Sequence, residues 1–229
     1  MNSLPKSPGR FLKKTARFCF NPLLAFLYPG FCLLCNRCSD ENSFLCSDCQ
    51  SRLDKAFLSN TNRPLAIANP YFDASVAALK FTKTVQTLIH YFKYAGYSQL
   101  SQVFSIYMCR RLEQKDITFD ALQPVPLHPG RQRERGFNQA KYLCKHLSAR
   151  FNVPVLDCLK RKRYTTQQAK HEQEERFKNV KNAFHLKNEL SPGHILLVDD
   201  VLTTGATANE CSRILRCAGA RHITVLTIC

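Results

Sequence analysis

Apolar positions recur along this chain with periods that predict its elements. Ile195, Leu196, Leu197 and Val198 form an unbroken apolar run, the pattern of a strand buried on both faces of a parallel sheet. Cys211, Ile214, Leu215 and Ala218 then fall at i, i+3, i+4 and i+7, predicting a helix over 207–218 that ends at Gly219. His222 to Ile228 reads as a second buried strand. Upstream, Val85, Leu88, Ile89 and Phe92 give one helical stripe, and Leu100, Val103, Phe104, Tyr107 and Met108 give another. Ala140, Leu143, Cys144 and Leu147 give a third. Ala74 to Leu79 reads as a strand, and Leu122 to Pro129 as an extended segment held by prolines. Strands alternating with helices predict an α/β fold with a parallel sheet flanked by helices. The helical peptide Leu88 to Gly96 reads as packing. Residues 51–70, with Ser59, Asn60, Asn62, Pro64 and Pro70, read as a linker. Residues 160–182 have little to bury and read as a lid or loop that closes over phosphates or grips a nucleic-acid backbone.

The strand over 195–198 runs into Asp199 and Asp200, and then into Thr203, Thr204, Gly205, Ala206 and Thr207. Two carboxylates and a small-residue turn thus arrive at the carboxyl end of a strand, where open α/β sheets bind ligands. The turn opens a helix whose first backbone N–H groups lack intrahelical partners and whose dipole favours an anion. Threonine hydroxyls add donors, and Gly205 permits close backbone approach. The cradle suits one phosphate. The carboxylates suit sugar hydroxyls or a hard cation such as Mg²⁺. Taken alone, paired aspartates before a turn also serve as a helix cap. There is no Gly-Lys-Thr/Ser ending and no GxGxxG, which weighs against ATPase and dinucleotide sites.

Two further segments change the picture. Gly130 to Gln139 carries Arg131, Arg133 and Arg135 on alternate residues of a basic loop between strand and helix. Guanidinium groups match phosphate oxygens in pairs, which suits a pyrophosphate; a plainly solvated loop is the other reading. Cys32 and Cys35, then Cys46 and Cys49, form two CxxC knuckles at zinc-site spacing. Four thiolates would close a tetrahedral structural site in a module too small for a core of its own. Cys38, three residues beyond Cys35, is a spare or a substitute ligand.

With 229 residues the chain holds one full α/β domain and a small module. Its formal net charge of +16 predicts polyanionic partners, and residues 127–181, with 14 basic and 5 acidic side chains, supply more than half of it. Five of the 12 cysteines crowd between 32 and 49, which argues for a metal site in a reducing, cytoplasmic compartment rather than a disulfide framework. Lys6, Arg10, Lys13, Lys14 and Arg17 precede the apolar stretch Phe18 to Leu34 and imitate a signal peptide. Asn21-Pro22 and Pro29-Gly30 interrupt that stretch, so a short amphipathic helix on the body is predicted, and no membrane span.

The Ile195–Thr207 run resembles the phosphoribosyl pyrophosphate (PRPP) signature of type I phosphoribosyltransferases. Together with the double CxxC, the Lys93-Tyr94 helix end and Pro124 to Ala140, it resembles the ComF (competence protein F, also GntX-like) family over about residues 20–229. The resemblance implies a double-CxxC zinc module within residues 1–62 and a phosphoribosyltransferase-like domain over 70–229. Asp199 and Asp200 would meet the ribose hydroxyls of PRPP, and Thr203, Thr204, Gly205, Ala206 and Thr207 its 5′-phosphate. His128, Arg131, Arg133 and Arg135 would form the pyrophosphate loop. Lys160, Arg161, Lys162, Arg163 and Gln167 would belong to the flexible catalytic loop or a nucleic-acid contact. Zinc would be structural, on Cys32, Cys35, Cys46 and Cys49, and Mg²⁺ would arrive with PRPP.

As an enzyme, the protein would displace pyrophosphate from C1 of PRPP, with Asp199 and Asp200 at the reacting sugar and the arginines stabilising the leaving group. A hood that selects the acceptor must come from residues 1–115 or be absent. The leading expectation is a PRPP- and Mg²⁺-binding protein of DNA uptake in natural transformation, acting through single-stranded DNA and alongside DNA-uptake proteins. Tyr91, Phe92, Tyr94, Tyr97 and Tyr164 are its stacking candidates. A transferase of nucleotide metabolism with an unknown acceptor, and a PRPP sensor without chemistry, are the other two readings.

Overall fold

A computed structural model of the chain describes residues 31–39, 44–58, 67, 69–162, 180–187 and 193–229. The expected amphipathic helix near the N-terminus lies outside them, as do Arg163, Tyr164 and Gln167.

Four parallel strands form the sheet in the order β1-β6-β5-β2: β1 is Ala74–Ala77, β6 is His222–Thr227, β5 is His194–Val198 and β2 is Ala121–Pro124. The central strands β5 and β6 pair from His194↔His222 to Val198↔Leu226. Their apolar runs divide by the period of two. Leu196, Val198 and Leu226 enter one core, and Ile195, Leu197, Ile223 and Val225 enter the other. The four-residue apolar run of β5 is therefore the direct consequence of burial on both faces.

Three helices cover the first face: α2 (Lys83–Tyr94), α3 (Leu100–Gln114) and α5 (Gln139–Phe151). The stripe predicted for α2 is buried at Val85, Leu88, Ile89 and Phe92. The other face carries α6 (Ala206–Cys217) and an antiparallel pair, β3 (Leu159–Arg161) with β4 (Phe184–Leu186). Gly219 has the left-handed φ of 101° that ends the α6 segment.

Three segments depart from their sequence-based expectation. Residues 51–58, read as the start of a linker, belong to a helix, α1 (Ser47–Leu58). Its Cys49, Leu53, Ala56 and Phe57 fall on one face and are buried in the same cluster as α2 and α3. The basic segment after β2 is not a loop but a short helix, α4 (Pro129–Arg135). Pro129 opens it, the His128 Nδ1 accepts from the Gly130 N–H at 3.1 Å, and Gly136 closes it at φ 78°. The polar run beginning at 160 also starts inside a strand, so it does have something to bury: Arg161 lies in the interior with its guanidinium 5.1 Å from the Phe184 ring centre.

Arg111 of α3 fastens α1 to the body. Its Nη2 donates to the carbonyls of Phe57 and Ala78, its Nη1 donates to Gln114 at 2.9 Å, and the guanidinium stands 4.4 Å above the Phe57 ring. The Tyr107 hydroxyl adds a bond to Asp54 of α1 at 2.7 Å. The segment holding the cysteines is thus tied by polar bonds as well as by apolar contact to the helices that flank the sheet.

Candidate functional site

Beyond Val198 the chain keeps its alignment with the neighbouring strand. The Asp199 N–H donates to the Leu226 carbonyl at 3.0 Å, and the Ile228 N–H donates to the Asp200 carbonyl at 3.0 Å. This fixes the backbone of both aspartates at the mouth of the sheet. Asp199 turns back to accept the Asp200 N–H at 2.8 Å. The Asp200 carboxylate meets the Lys93 ammonium at 2.8 Å, with 12% and 15% of the two side chains exposed. Lys93 sits in the last turn of α2, just off its buried stripe.

Burial lifts the Asp199 carboxyl to about 7, and the charge of Asp200 adds to the lift; the Asp200 N–H, Lys93 and Arg161 oppose it. Asp199 therefore changes charge near neutrality, while its neighbour is held by a fixed cation.

The turn follows directly. Gly205 takes φ 80° at the N-cap of α6, a conformation that favours glycine. Thr204 Oγ1 accepts the Ala206 N–H at 3.4 Å. Thr203 is exposed, Thr204 and Thr207 are half-buried, and Gly205 and Ala206 are buried behind them. The first turn of a 12-residue helix and three hydroxyls thus follow the carboxylates directly.

Helix α4 sorts the arginines by its own period. Arg131 and Arg135 are one turn apart and half-buried, whereas Arg133 lies between them and is exposed. The alternate-residue pattern therefore does not present three guanidiniums together. Arg131 and Arg135 instead lie close enough to Arg161 to lower its pKa, after burial, and Arg161 is in turn within electrostatic reach of Asp199. Strand period likewise separates the β3 residues: Arg161 points inward, and Lys160 and Lys162 are exposed. A cleft of about 200 Å³ opens beside them, lined by Pro126, Gln132, Lys141, Lys160, Arg161 and Lys187 among others.

Sequence reasoning missed Lys93 as a site residue, because its helix has an ordinary buried stripe. It placed Arg161 in the flexible catalytic loop or a nucleic-acid contact together with Lys160, Lys162 and Arg163, without setting it apart as the inward-facing cation. The available signal for Arg161 was its position between Leu159 and the polar run, where a strand of period two would turn it inward.

The four knuckle cysteines converge. The Sγ atoms of Cys32, Cys35, Cys46 and Cys49 all lie within 4.8 Å of one another, with Cys35 and Cys46 at 3.6 Å. Thiolates about 2.3 Å from a tetrahedral zinc stand about 3.8 Å apart, so this donor set fits a zinc-sized ion. Cys32 heads a tight turn closed by the Asn36 N–H to its carbonyl at 2.9 Å, and Cys49 comes from the first turn of α1. Arg37 beside Cys35 pulls its thiol down to about 6, toward the thiolate that a metal needs. Cys38 is exposed and lies outside the four-sulfur group.

The phosphoribosyl transferase domain family matches residues 138–229, from the cap of α5 to the last strand. Competence protein F of Haemophilus influenzae is 31% identical over 201 residues, covering 83% of this chain and 82% of the relative. The chain belongs to the competence protein F family. Other relatives of this family member are the DNA utilization protein YhgH of Escherichia coli K12, 29% identical over 213 residues (90% and 92% of the two chains), and competence protein ComFC of Streptococcus pneumoniae, 26% identical over 204 residues (82% and 89%). The matched domain contains Asp199, Asp200 and the turn, whereas Lys93 and α4 precede it. The residues that flank the carboxylates in this family member thus come partly from outside the domain match.

Two expectations follow from this geometry. The folded-state pKa of Asp199 lies above the ordinary carboxylate value of about 3.9, so folding favours its protonated form. Its contribution to stability is present in acid and lost as pH rises through about 7. Asp199→Asn is expected to flatten the fall in stability between about pH 4 and 7, read by urea unfolding at a series of pH values; an unchanged slope would remove Asp199 as its source. For the sulfur site, metal analysis of the purified chain is expected to find about one zinc per molecule. Cys46→Ser should lower both the zinc content and the melting temperature.

Proposed function

We propose that the protein binds PRPP together with Mg²⁺ and acts in DNA uptake by contacting single-stranded DNA. The observation that carries the sugar-phosphate part is the Lys93–Asp200 pair beside Asp199, set directly before the turn at the start of α6. A bare cation would have to compete with Lys93 for Asp200 and with a proton for Asp199 near neutrality. A vicinal diol suits the pair better, donating its hydroxyl protons to both carboxylates. A phosphate on the same sugar would then fall toward the Thr203–Thr207 turn. The donor set around the carboxylates thus fits Mg²⁺ only when the phosphates of the sugar carry it. When bound, Mg²⁺ would neutralise the pyrophosphate, and Asp199 and Asp200 would orient the sugar it accompanies.

The chain's own residues suggest how the rest would be held. Ionised Asp199 accepts a ribose hydroxyl, and Lys93 holds Asp200 in place to accept the other. Arg131, Arg135 and Arg161 offer guanidiniums on the side where the pyrophosphate would lie. The expected chemistry, displacement of pyrophosphate from C1, would need no more from these groups than orientation and charge.

The DNA part rests on the names of the relatives, competence protein F and DNA utilization protein YhgH, and on the charge of +16. The lysines around the β3 cleft support it: Lys141, Lys160 and Lys187 rim the cavity, where a backbone phosphate would take the place of Asp157, which pairs with Lys141 at 3.1 Å and with Lys187 at 3.5 Å. Cytoplasmic placement is proposed from the 11 free cysteines among the described residues. No helix among those residues is long and apolar enough to cross a membrane.

Calorimetry of the full chain with PRPP·Mg²⁺ tests the sugar site. Asp199→Asn with Asp200→Asn is expected to weaken binding about a hundredfold, since two charge-assisted bonds are lost. Unchanged affinity would remove the ribose assignment. Fluorescence anisotropy with a labelled oligothymidylate across a salt series tests the strand site. Lys160→Ala with Lys187→Ala should reduce the slope of log K against log salt by about 0.7 for each phosphate contact removed. A salt-independent affinity would sink the strand reading.

A further inference from the structure

The cleft beside β3 sets one acid among four cations. Lys141 comes from the first turn of α5, Lys160 and Arg161 come from β3, and Lys187 follows directly on β4. The acid is Asp157, two residues ahead of β3; among the described residues no other acidic side chain lines the cleft. Its two carboxylate oxygens are divided between two lysines. Oδ1 meets the Lys141 ammonium at 3.1 Å, and Oδ2 meets the Lys187 ammonium at 3.5 Å. A carboxylate shared in this way stands where two oxygens of a phosphate group would stand.

The position of the backbone here does not depend on those ion pairs. Asn138 caps α5 and accepts the Lys141 N–H at 3.4 Å. On one side of Asp157 the Leu156 N–H donates to the Leu122 carbonyl at 2.7 Å. On the other side the Cys158 N–H donates to Gln123 Oε1 at 3.2 Å, and the Lys187 N–H donates to the Cys158 carbonyl at 2.7 Å. The ion pairs themselves are open to water, with the three side chains between 45% and 50% exposed. Partial burial pushes the Asp157 carboxyl up, but Lys141 and Lys187 outweigh it and hold the group below the usual carboxylate range. Asp157 is therefore an anion at neutral pH. The Lys93–Asp200 pair, 15% and 12% exposed, is of the opposite kind. A buried pair is costly to open, whereas an exposed pair contributes little and exchanges with an anion from outside.

We propose that Asp157 is an internal competitor for phosphate: it occupies Lys141 and Lys187 until a phosphate group takes its place, and so sets the affinity and the salt dependence of phosphate binding in the cleft. The proposal rests on the strand reading for its main ligand, a backbone phosphate. Inorganic phosphate offers the same oxygens and is the second source. Removing the Asp157 charge leaves the lysines in place and frees them for the ligand, so the variant that loses an ion pair binds more tightly.

The test compares the full wild-type chain with Asp157→Asn and Asp116→Asn, by fluorescence anisotropy with a labelled oligothymidylate across a salt series. Asp116 is exposed on the turn that precedes β2, at the end of that strand away from the cleft. Its variant makes the same change in net charge at a distance from the lysines. Asp157→Asn is expected to tighten binding about threefold at low salt, the scale of an exposed ion pair. It should also steepen the slope of log K against log salt by about 0.7, the share of one phosphate on a single strand. Asp116→Asn should change neither. Adding Lys141→Gln and Lys187→Gln to Asp157→Asn should remove the gain, with melting temperatures confirming that each variant is folded. Calorimetry with inorganic phosphate separates the sources: tighter binding there as well shows that the cleft takes any phosphate group, and a gain on the oligomer alone shows that it takes a strand. If Asp157→Asn weakens oligomer binding or leaves it unchanged, or if Asp116→Asn gives the same gain, the competitor role is overturned and the strand reading stands. If wild type does not bind the oligomer, the strand reading falls; the competitor role then survives only if Asp157→Asn tightens inorganic phosphate.

Discussion

A pair of carboxylates at the end of a buried strand needs a cation, and here the cation comes from a helix far away in sequence. Lys93 on α2 meets Asp200 at 2.8 Å in a setting with little water. An unpaired carboxylate so placed would either take up a proton or carry a desolvation cost on the order of several kcal/mol. Asp199 shows the first outcome in part, with its pKa lifted to about 7. The pair therefore has one member matched by a cation and one whose pKa is lifted toward neutrality. Everything that sets the position of α2 acts on this arrangement.

What sets α2 is the core of the first face, and that core includes the cysteine segment. Cys32, Cys49, Leu53 and Phe57 share a cluster with Leu88 and Phe92. Arg111 and Tyr107 bond the same α1 helix to α3. A metal on the four thiolates would fix the two knuckles and the start of α1 at once. The sulfur site then bears on the carboxylate site through two packed helices, without needing to touch any ligand. That is a physical reason for a small metal module to be joined to this fold.

Where burial dictated residue type, the sequence was legible. The run 195–198 could only be a strand covered on both faces, and the stripe 85–92 could only be a helix with one buried side; both stand as predicted. The turn from Asp199 to Thr207 was legible because its small and polar residues have few other uses together. Less legible were elements whose stability comes from caps or tertiary contact. The α4 helix has no buried residue, and a histidine cap, a first-turn proline and a left-handed glycine define it. Its basic composition looked like a loop. The start of α1 was obscured by the Asn- and Pro-containing segment after it, although Cys49, Leu53, Ala56 and Phe57 already had helical spacing.

Lys93 and Arg161 show a different kind of opacity. Each is a cation next to an apolar stripe, and composition assigns such residues to solvent. Only the three-dimensional partner reverses that assignment: Asp200 for one, and the Phe184 ring with the field of Asp199 for the other. Desolvating a cation is costly unless an opposite charge or a π-face compensates it. The presence of two such cations within reach of two carboxylates is therefore informative. The cations of the site, Lys93, Arg131, Arg135 and Arg161, outnumber its two carboxylates. A ligand that brings a diol to the carboxylates and phosphates to the arginines would exchange these internal pairs for its own. A neutral apolar ligand would leave them intact and gain nothing from them. The charge arrangement thus suits an anionic ligand better than a neutral apolar one of similar size.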